Sequence, residues 1–61
     1  MMFTVKLSGG RYLGDATNLA DATSLAMVKM RQDKTFRKAN ISDGKKIVRT
    51  VCQLGKSFRI Y

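Results

Sequence analysis

One segment of the chain repeats its apolar residues at helical spacing, and it lies between segments that alternate with period two. The repeating residues follow each other mostly at intervals of three or four and are Leu19, Ala22, Leu25, Ala26 and Met30. Side chains at these intervals share one face of a helix. Because one helix covers only one face of a sheet, this arrangement predicts an α+β domain. In it, a small antiparallel sheet carries the helix on one face and leaves the other to solvent.

The ends of this helix have residues that are typical of helix caps. Asn18 or Thr17 is expected to be the N-cap, since a side-chain oxygen of either accepts a hydrogen bond from a first-turn N–H. Asp21 follows Asn18 by three positions in an approximate capping box, and its charge suits the positive end of the helix. Cations that complement the other end are Lys29, Arg31 and Lys34. The helix is therefore predicted over residues 18–32.

The remaining segments predict short strands joined by turns. The strand segments are 3–7, 11–13, 36–41, 46–52 and 58–61. Glycine-containing turns separate them, and the pair Asp43 and Gly44 is a strong signal for a hairpin. The predicted order is β-β-α-β-β-β.

The register of the central hairpin stays open. A two-residue turn would place Ala39 opposite Val48, whereas a three-residue turn with Gly44 in a bulge would place Ala39 opposite Ile47. A slip of one residue exchanges the two faces of a strand. The slip decides which residues point inward, either Ile47 with Val51 or Val48 with Cys52. Ala39 and Ile41 are expected to point inward in both cases.

The length of the chain limits the core. A single domain of 61 residues, here 1–61, buries only about 60 % of its unfolded surface. One cysteine, Cys52, cannot form an intrachain disulfide, and the absence of histidine argues against a zinc site. The apolar fraction of 44 % is that of a folded chain. We therefore expect a thin core that a second copy of the chain or a partner would complete.

The sequence predicts a cytoplasmic protein. No segment approaches the roughly 20 apolar residues of a membrane span. The N-terminal segment lacks the basic and apolar regions of a signal peptide, since Lys6 interrupts its apolar run. A single free thiol also suits a reducing compartment.

The reactive side chains argue against an enzyme. The four carboxylates are all aspartates: Asp15 and Asp21 flank the predicted helix start, Asp43 forms the hairpin turn, and Asp33 is expected to be solvated. None forms a pair suited to acid–base catalysis, and histidine-assisted nucleophiles are excluded. Cys52 is expected to be a small buried apolar residue rather than a redox or dimer-disulfide cysteine. No enzymatic activity, cofactor or metal is predicted.

The positive charge is concentrated in the second half of the chain. Residues 29–61 hold ten cations and two acids, so the whole net charge of +8 lies there. This asymmetry favours a polyanion or an acidic protein as partner. The alternative is a solvated basic surface that has no ligand.

Alternation along the strands selects the candidate binding residues. It directs Lys6 and part of the hairpin cations to the open face or the hairpin rim, and Arg59 and Tyr61 away from Phe58 and Ile60. The predicted site consists of Lys6, Arg37, Lys38, Lys45, Lys46, Arg49, Lys56, Arg59 and Tyr61. Cations among aromatic rings bind phosphates while the rings stack on bases. These residues predict a binding protein for nucleic acid or a nucleoprotein complex, directed mainly to the backbone because no base-reading motif is present.

The helix segment NLADATSLA at 18–26, followed by the hairpin around Asp43 and Gly44, resembles small phage-encoded proteins that include anti-CRISPR inhibitors. The resemblance is architectural and confined to these segments. It implies an inhibitor in a bacterial host cell that binds an acidic or nucleic-acid-binding host protein complex. Docking would use charge complementarity or strand addition. A homodimer with paired sheet edges is compatible with both functions.

Overall fold

The computed structural model describes residues 2–33 and 35–61, so Lys34 lies outside the described residues. Its elements are β1 (Phe3–Leu7), β2 (Tyr12–Ala16), α1 (Leu19–Gln32), β3 (Lys38–Ser42), β4 (Ile47–Leu54) and β5 (Ser57–Ile60). The strands form a five-stranded sheet in the order β2-β1-β3-β4-β5, in which every neighbouring pair is antiparallel. The predicted α+β class and order of elements are confirmed.

The helix starts at an asparagine cap. Asn18 has an extended backbone, and its side-chain Oδ1 accepts a hydrogen bond from the N–H of Asp21 at 2.8 Å. The Asn18 amide also donates to Asp21 Oδ2 at 3.1 Å. Of the two predicted caps, Asn18 is therefore the one used, and Asp21 lies in the first turn, where its charge favours the helix end.

The core lies between α1 and the three central strands. Its fully buried residues are Val5, Ala22, Ala26, Met30, Ala39, Ile41 and Val51. Small alanines on the helix let its backbone approach the sheet closely, so a thin core is still excluded from water. The predicted inward orientation of Ala39 and Ile41 is confirmed.

The second strand is longer than predicted and contains Gly14 and Asp15. Gly14 pairs with Val5 in the sheet, and a β-carbon at Gly14 would lie 2.7 Å from Leu25 Cδ2. The strand therefore continues through this glycine, whose missing side chain makes room for the helix. Asp15 does not flank the helix start as expected, because it lies in this strand and accepts a hydrogen bond from the Tyr12 hydroxyl at 2.6 Å.

Neither predicted register of the central hairpin is correct. Ala39 lies opposite Val51, and Ser42 lies opposite Ile47, with a shift in the register between them. Val48 is the additional residue at this bulge. The bulge separates residues that simple alternation had grouped, so Val51 is fully buried while Ile47 is 58 % exposed.

The turn of this hairpin is longer than either predicted turn, because the Asp43 carboxylate accepts hydrogen bonds from the residues that follow it in the chain. Its Oδ1 accepts from the backbone N–H groups of Lys45 and Lys46 at 2.9 and 3.1 Å. Its own N–H donates to the Lys46 carbonyl at 3.1 Å. These bonds hold residues 43–46 in a wider turn, in which Gly44 has a φ of 98°.

The described part of the chain contains no helix that is long and apolar enough to cross a membrane.

Candidate nucleic-acid interface

The sheet face opposite α1, here called the open face, is crossed by a row that takes one residue from each strand region. The register aligns Tyr12 with Lys6, Lys6 with Asn40, and Asn40 with Thr50. At the outer edge, the Tyr61 N–H donates to the Thr50 carbonyl at 2.8 Å and the Thr50 N–H donates to the Tyr61 carbonyl at 3.4 Å. This transverse row places a tyrosine at each end, with the two backbones about 19 Å apart at the usual strand spacing of about 4.8 Å.

A second row runs beside it and carries two more cations. Lys38 lies opposite Cys52, and Cys52 lies opposite Arg59. The Arg59 guanidinium also lies 5.9 Å from the centre of the Tyr61 ring, so it connects the two rows. Together with Lys6, the open face presents three exposed cations.

A depression of about 320 Å³ lies between the two rows. It is lined by Ser8, Lys38, Asn40, Thr50, Cys52 and Tyr61. The Thr50 hydroxyl donates to Asn40 Oδ1 at 3.0 Å, which turns the NH₂ group of the Asn40 amide away from Thr50. The floor of the depression therefore offers amide and hydroxyl groups beside a lysine and an aromatic ring.

The tyrosine at the β2 end is fixed by a carboxylate. The hydrogen bond from the Tyr12 hydroxyl to Asp15, together with the negative charge of Asp15, raises the pKa of Tyr12 because both favour the protonated phenol. The Tyr12 side chain remains 56 % exposed. Asp15 repels anions at this end of the face, so the favourable path for an anionic chain follows Lys6, Lys38 and Arg59.

The predicted site residues do not form one surface. Lys6, Lys38, Arg59 and Tyr61 meet on the open face, whereas Lys45 and Lys46 lie in the β3–β4 turn, at the far end of the sheet from Lys38. Arg49 lies on the helix side, where its Nη1 donates to Thr23 Oγ1 at 3.2 Å. The last two, Arg37 and Lys56, line a separate hollow beside α1. The cations after residue 28 thus form several groups.

Three residues of the transverse row were missing from the predicted site. Asn40 alternates with the inward-facing Ala39 and Ile41, so its outward position was available in the sequence. Tyr12 was expected to be exposed but was not joined to the site. Thr50 could not be assigned to the row from the sequence, because the bulge at Val48 decides on which face of the sheet it lies.

Two further carboxylates, those of Asp33 and Asp43, accept hydrogen bonds within turns. Asp33 was expected to be solvated, and its hydrogen bonds are exposed: Oδ1 accepts from the Thr35 hydroxyl at 2.7 Å and from the Thr35 N–H at 3.0 Å. These hydrogen bonds lower the pKa of Asp33, and those from Lys45 and Lys46 lower the pKa of Asp43. Within residues 2–33 and 35–61, no group of three or more His, Cys, Asp or Glu side chains is arranged to hold a metal ion.

Comparison of the chain with protein-family models, with curated proteins and with solved structures gave no match. The geometry of the open face is therefore the basis on which a function is inferred.

Proposed function

We propose that this protein is a non-enzymatic binding protein that holds single-stranded nucleic acid across the open face of its sheet. The observation that carries the proposal is the transverse row, which has an exposed tyrosine at each end and Lys6 between them. Lys38 and Arg59 flank the row on one side.

The cations account for phosphate binding. Lys6, Lys38 and Arg59 project from three different strands, so an anionic chain that crosses the sheet passes each in turn. The carboxylate of this face, Asp15, lies at its β2 edge and already accepts the Tyr12 hydroxyl. Phosphate neutralisation releases counterions, so the affinity should decrease as salt increases.

The tyrosines account for the choice of a single strand. Tyr12 and Tyr61 are 56 % and 66 % exposed, and each ring can stack on an unpaired base. Stacking of this kind contributes roughly 1–3 kcal/mol per base and tolerates any sequence. A duplex hides its base faces, and a five-stranded sheet does not enter a groove as a helix or two-stranded ribbon does. The proposed ligand is therefore a single strand with little sequence preference.

Fluorescence anisotropy with labelled single-stranded DNA and RNA of random sequence tests this proposal. For three phosphate contacts, the logarithm of the association constant should fall with the logarithm of salt with a slope of about −2. The double variant Lys6→Gln/Lys38→Gln should bind much more weakly, while Lys45→Gln/Lys46→Gln loses the same charge at the far turn and should bind nearly as the parent does. Equal weakening of the two variants, or equal affinity for duplex and single strand, would contradict the proposal.

The second candidate is an inhibitor that joins a host protein by strand addition, in line with the resemblance to phage-encoded proteins. Its support is the free edge of β5. Tyr61 forms the ladder bonds to Thr50, and such bonds alternate along a strand, so the backbone groups of Phe58 and Ile60 are directed to the open edge. Ile60 is also 48 % exposed.

A pull-down from bacterial lysate treated with nuclease distinguishes the two candidate functions. Ile60→Pro removes an N–H at the free edge and leaves the ladder to β4 intact. A host protein that Ile60→Pro loses and Lys6→Gln/Lys38→Gln retains would favour strand addition. A partner lost on nuclease treatment would favour binding through nucleic acid.

A further inference from the structure

We infer that a second site, on the helix side of the sheet, binds a phosphorylated nucleoside. It is a hollow of about 660 Å³ between the end of α1 and the β4–β5 turn, here called the helix-side hollow. This volume lies within the range of about 300–1,000 Å³ that is usual for small-molecule sites. The inference does not require that the open face bind nucleic acid.

Three cations from separate parts of the chain border the hollow. Arg31 belongs to the last turn of α1, Arg37 precedes β3, and Lys56 lies in the β4–β5 turn. The described residues that line the hollow include no carboxylate. An anion between these groups would relieve their mutual repulsion and accept charge-assisted hydrogen bonds, and a phosphate has enough oxygens to contact all three.

An amide in the same hollow lacks a partner. Gln53 lines it, and the Gln53 Oε1 atom is buried without a hydrogen-bond partner among the described residues. The backbone of Gln53 is held in place, since its N–H donates to the Arg37 carbonyl at 2.8 Å. Buried polar groups are normally satisfied. A rotation of the Gln53 side chain towards a ligand N–H or O–H, such as a base amine or a ribose hydroxyl, would supply the missing bond.

The wall of the hollow suits a flat ring. The Arg31 guanidinium lies 5.2 Å from the centre of the Phe58 ring, and this contact orients its planar group. Leu54, which is 55 % exposed, provides an apolar surface nearby. Cations, an amide acceptor and flat apolar groups together match a phosphate joined to a base, whereas inorganic phosphate would use the cations alone.

The phosphorylated nucleoside has two sources, a free nucleotide or the terminal nucleotide of a strand. An amide NMR titration of the ¹⁵N-labelled protein distinguishes them, with ATP, adenosine, inorganic phosphate, and single strands that carry either a 5′-phosphate or a 5′-hydroxyl. Saturable shifts of the Gly55 and Lys56 backbone amides and of the Gln53 side-chain amide with ATP identify a free nucleotide. Shifts of these groups only with the 5′-phosphorylated strand identify a strand terminus.

Variants with matched charge test the location. Arg37→Gln/Lys56→Gln should weaken binding at least about tenfold, in line with the loss of hydrogen bonds from charged groups. Lys45→Gln/Lys46→Gln, with the same loss of charge at the other end of the sheet, should leave it nearly unchanged. Gln53→Leu should weaken ATP more than inorganic phosphate, and the amide spectrum of each variant reports whether the fold is kept.

The inference is overturned if neither ATP nor the phosphorylated strand shifts the hollow, or if the two double variants lose affinity equally. Its failure is distinguishable from failure of the proposed function. Binding on the open face shifts the amides of Lys6 and Thr50, which lie on the other side of the sheet, and depends on Lys38 rather than on Lys56.

Discussion

Gly14 and Leu25 are in such close contact that a β-carbon on the glycine would lie 2.7 Å from Leu25 Cδ2. This contact joins β2 to the middle of α1. Replacement of Gly14 by alanine forces the leucine or the helix to move, and we expect a loss of about 1–3 kcal/mol in the free energy of unfolding, as for other overpacked cores. Denaturant unfolding followed by circular dichroism measures the loss.

A double-mutant cycle tests this explanation. In a background of Leu25→Ala, the alanine at Gly14 no longer meets the leucine methyl groups and should cost less than in the parent, so that only the strain of the positive φ of 156° at this position is left. Additive losses in the double variant would show that the glycine is required for its backbone conformation rather than for the contact.

The helix cap gives a second prediction. Asn18→Ala removes the acceptor for the Asp21 N–H and should lower the free energy of unfolding by about 1 kcal/mol. Thr17→Ala, one position earlier, should have little effect because Asn18 is the cap. Thermal unfolding of the two variants side by side measures the difference, and an equal or larger loss for Thr17→Ala would contradict it.

The sequence predicted the elements of the fold but not the register of the central hairpin. The helical stripe and the Asn18 cap are local signals, and both predicted the helix. The faces of β4 instead depend on the bulge at Val48, which arises where the turn around Asp43 meets the ladder. One additional residue reverses every side chain beyond it, so alternation alone could not divide the basic residues between the faces.

The same reasoning explains which parts of the candidate site were predictable. Arg59 lies in a short strand without a register shift, and alternation directed it correctly away from Phe58. The pairing of β1 with β2 does shift between Val5 and Lys6, but the additional residue, Leu13, belongs to β2, so alternation along β1 still predicts the face of Lys6. Arg49 lies directly after the bulge, and the register pairs it with the buried Ile41. Its inclusion in the predicted site followed from its charge, which does not report the face on which it lies.

Arg49 provides a third prediction. Because its guanidinium donates to Thr23 across the helix–sheet contact, Arg49→Gln should lower the free energy of unfolding by about 1.5 kcal/mol, the lower end of the usual contribution of a hydrogen bond from a charged group. Its effect on binding to single-stranded DNA should be no larger than that of Lys45→Gln, which removes the same charge from a turn. Thermal unfolding and anisotropy on the two variants measure both. A loss of affinity as large as that of Lys38→Gln would place Arg49 in the interface.

Acidification gives a fourth prediction. The pKa values of Asp33 and Asp43 are lowered in the folded chain from the ordinary value of 3.8 by hydrogen bonds in their turns. Their contribution to stability is therefore present above the unfolded pKa and is lost as the pH falls through the folded pKa. Melting temperatures should therefore decrease as the pH is lowered from neutral to below pH 3, which is roughly one unit under the pKa of an unfolded carboxyl group.

The control for this prediction keeps the acceptor and removes the titration. In Asp33→Asn/Asp43→Asn, the amide oxygen can still accept the turn hydrogen bonds, so melting should depend less on pH over the same window. Parallel curves for the variant and the parent would show that other groups cause the acid sensitivity.

The thiol of Cys52 gives the last prediction, because it reports directly on the open face. Cys52 was expected to be buried, but it is only half-buried and lies between Lys38 and Arg59 in the lining of the open-face depression. A bound single strand that follows these cations covers the thiol. We therefore expect single-stranded DNA to slow the reaction of Cys52 with a thiol reagent, and the Lys6→Gln/Lys38→Gln variant to lose this protection at the same DNA concentration. Lys45→Gln/Lys46→Gln should keep it. If DNA binds and the reaction rate stays the same, the strand follows another surface of the protein.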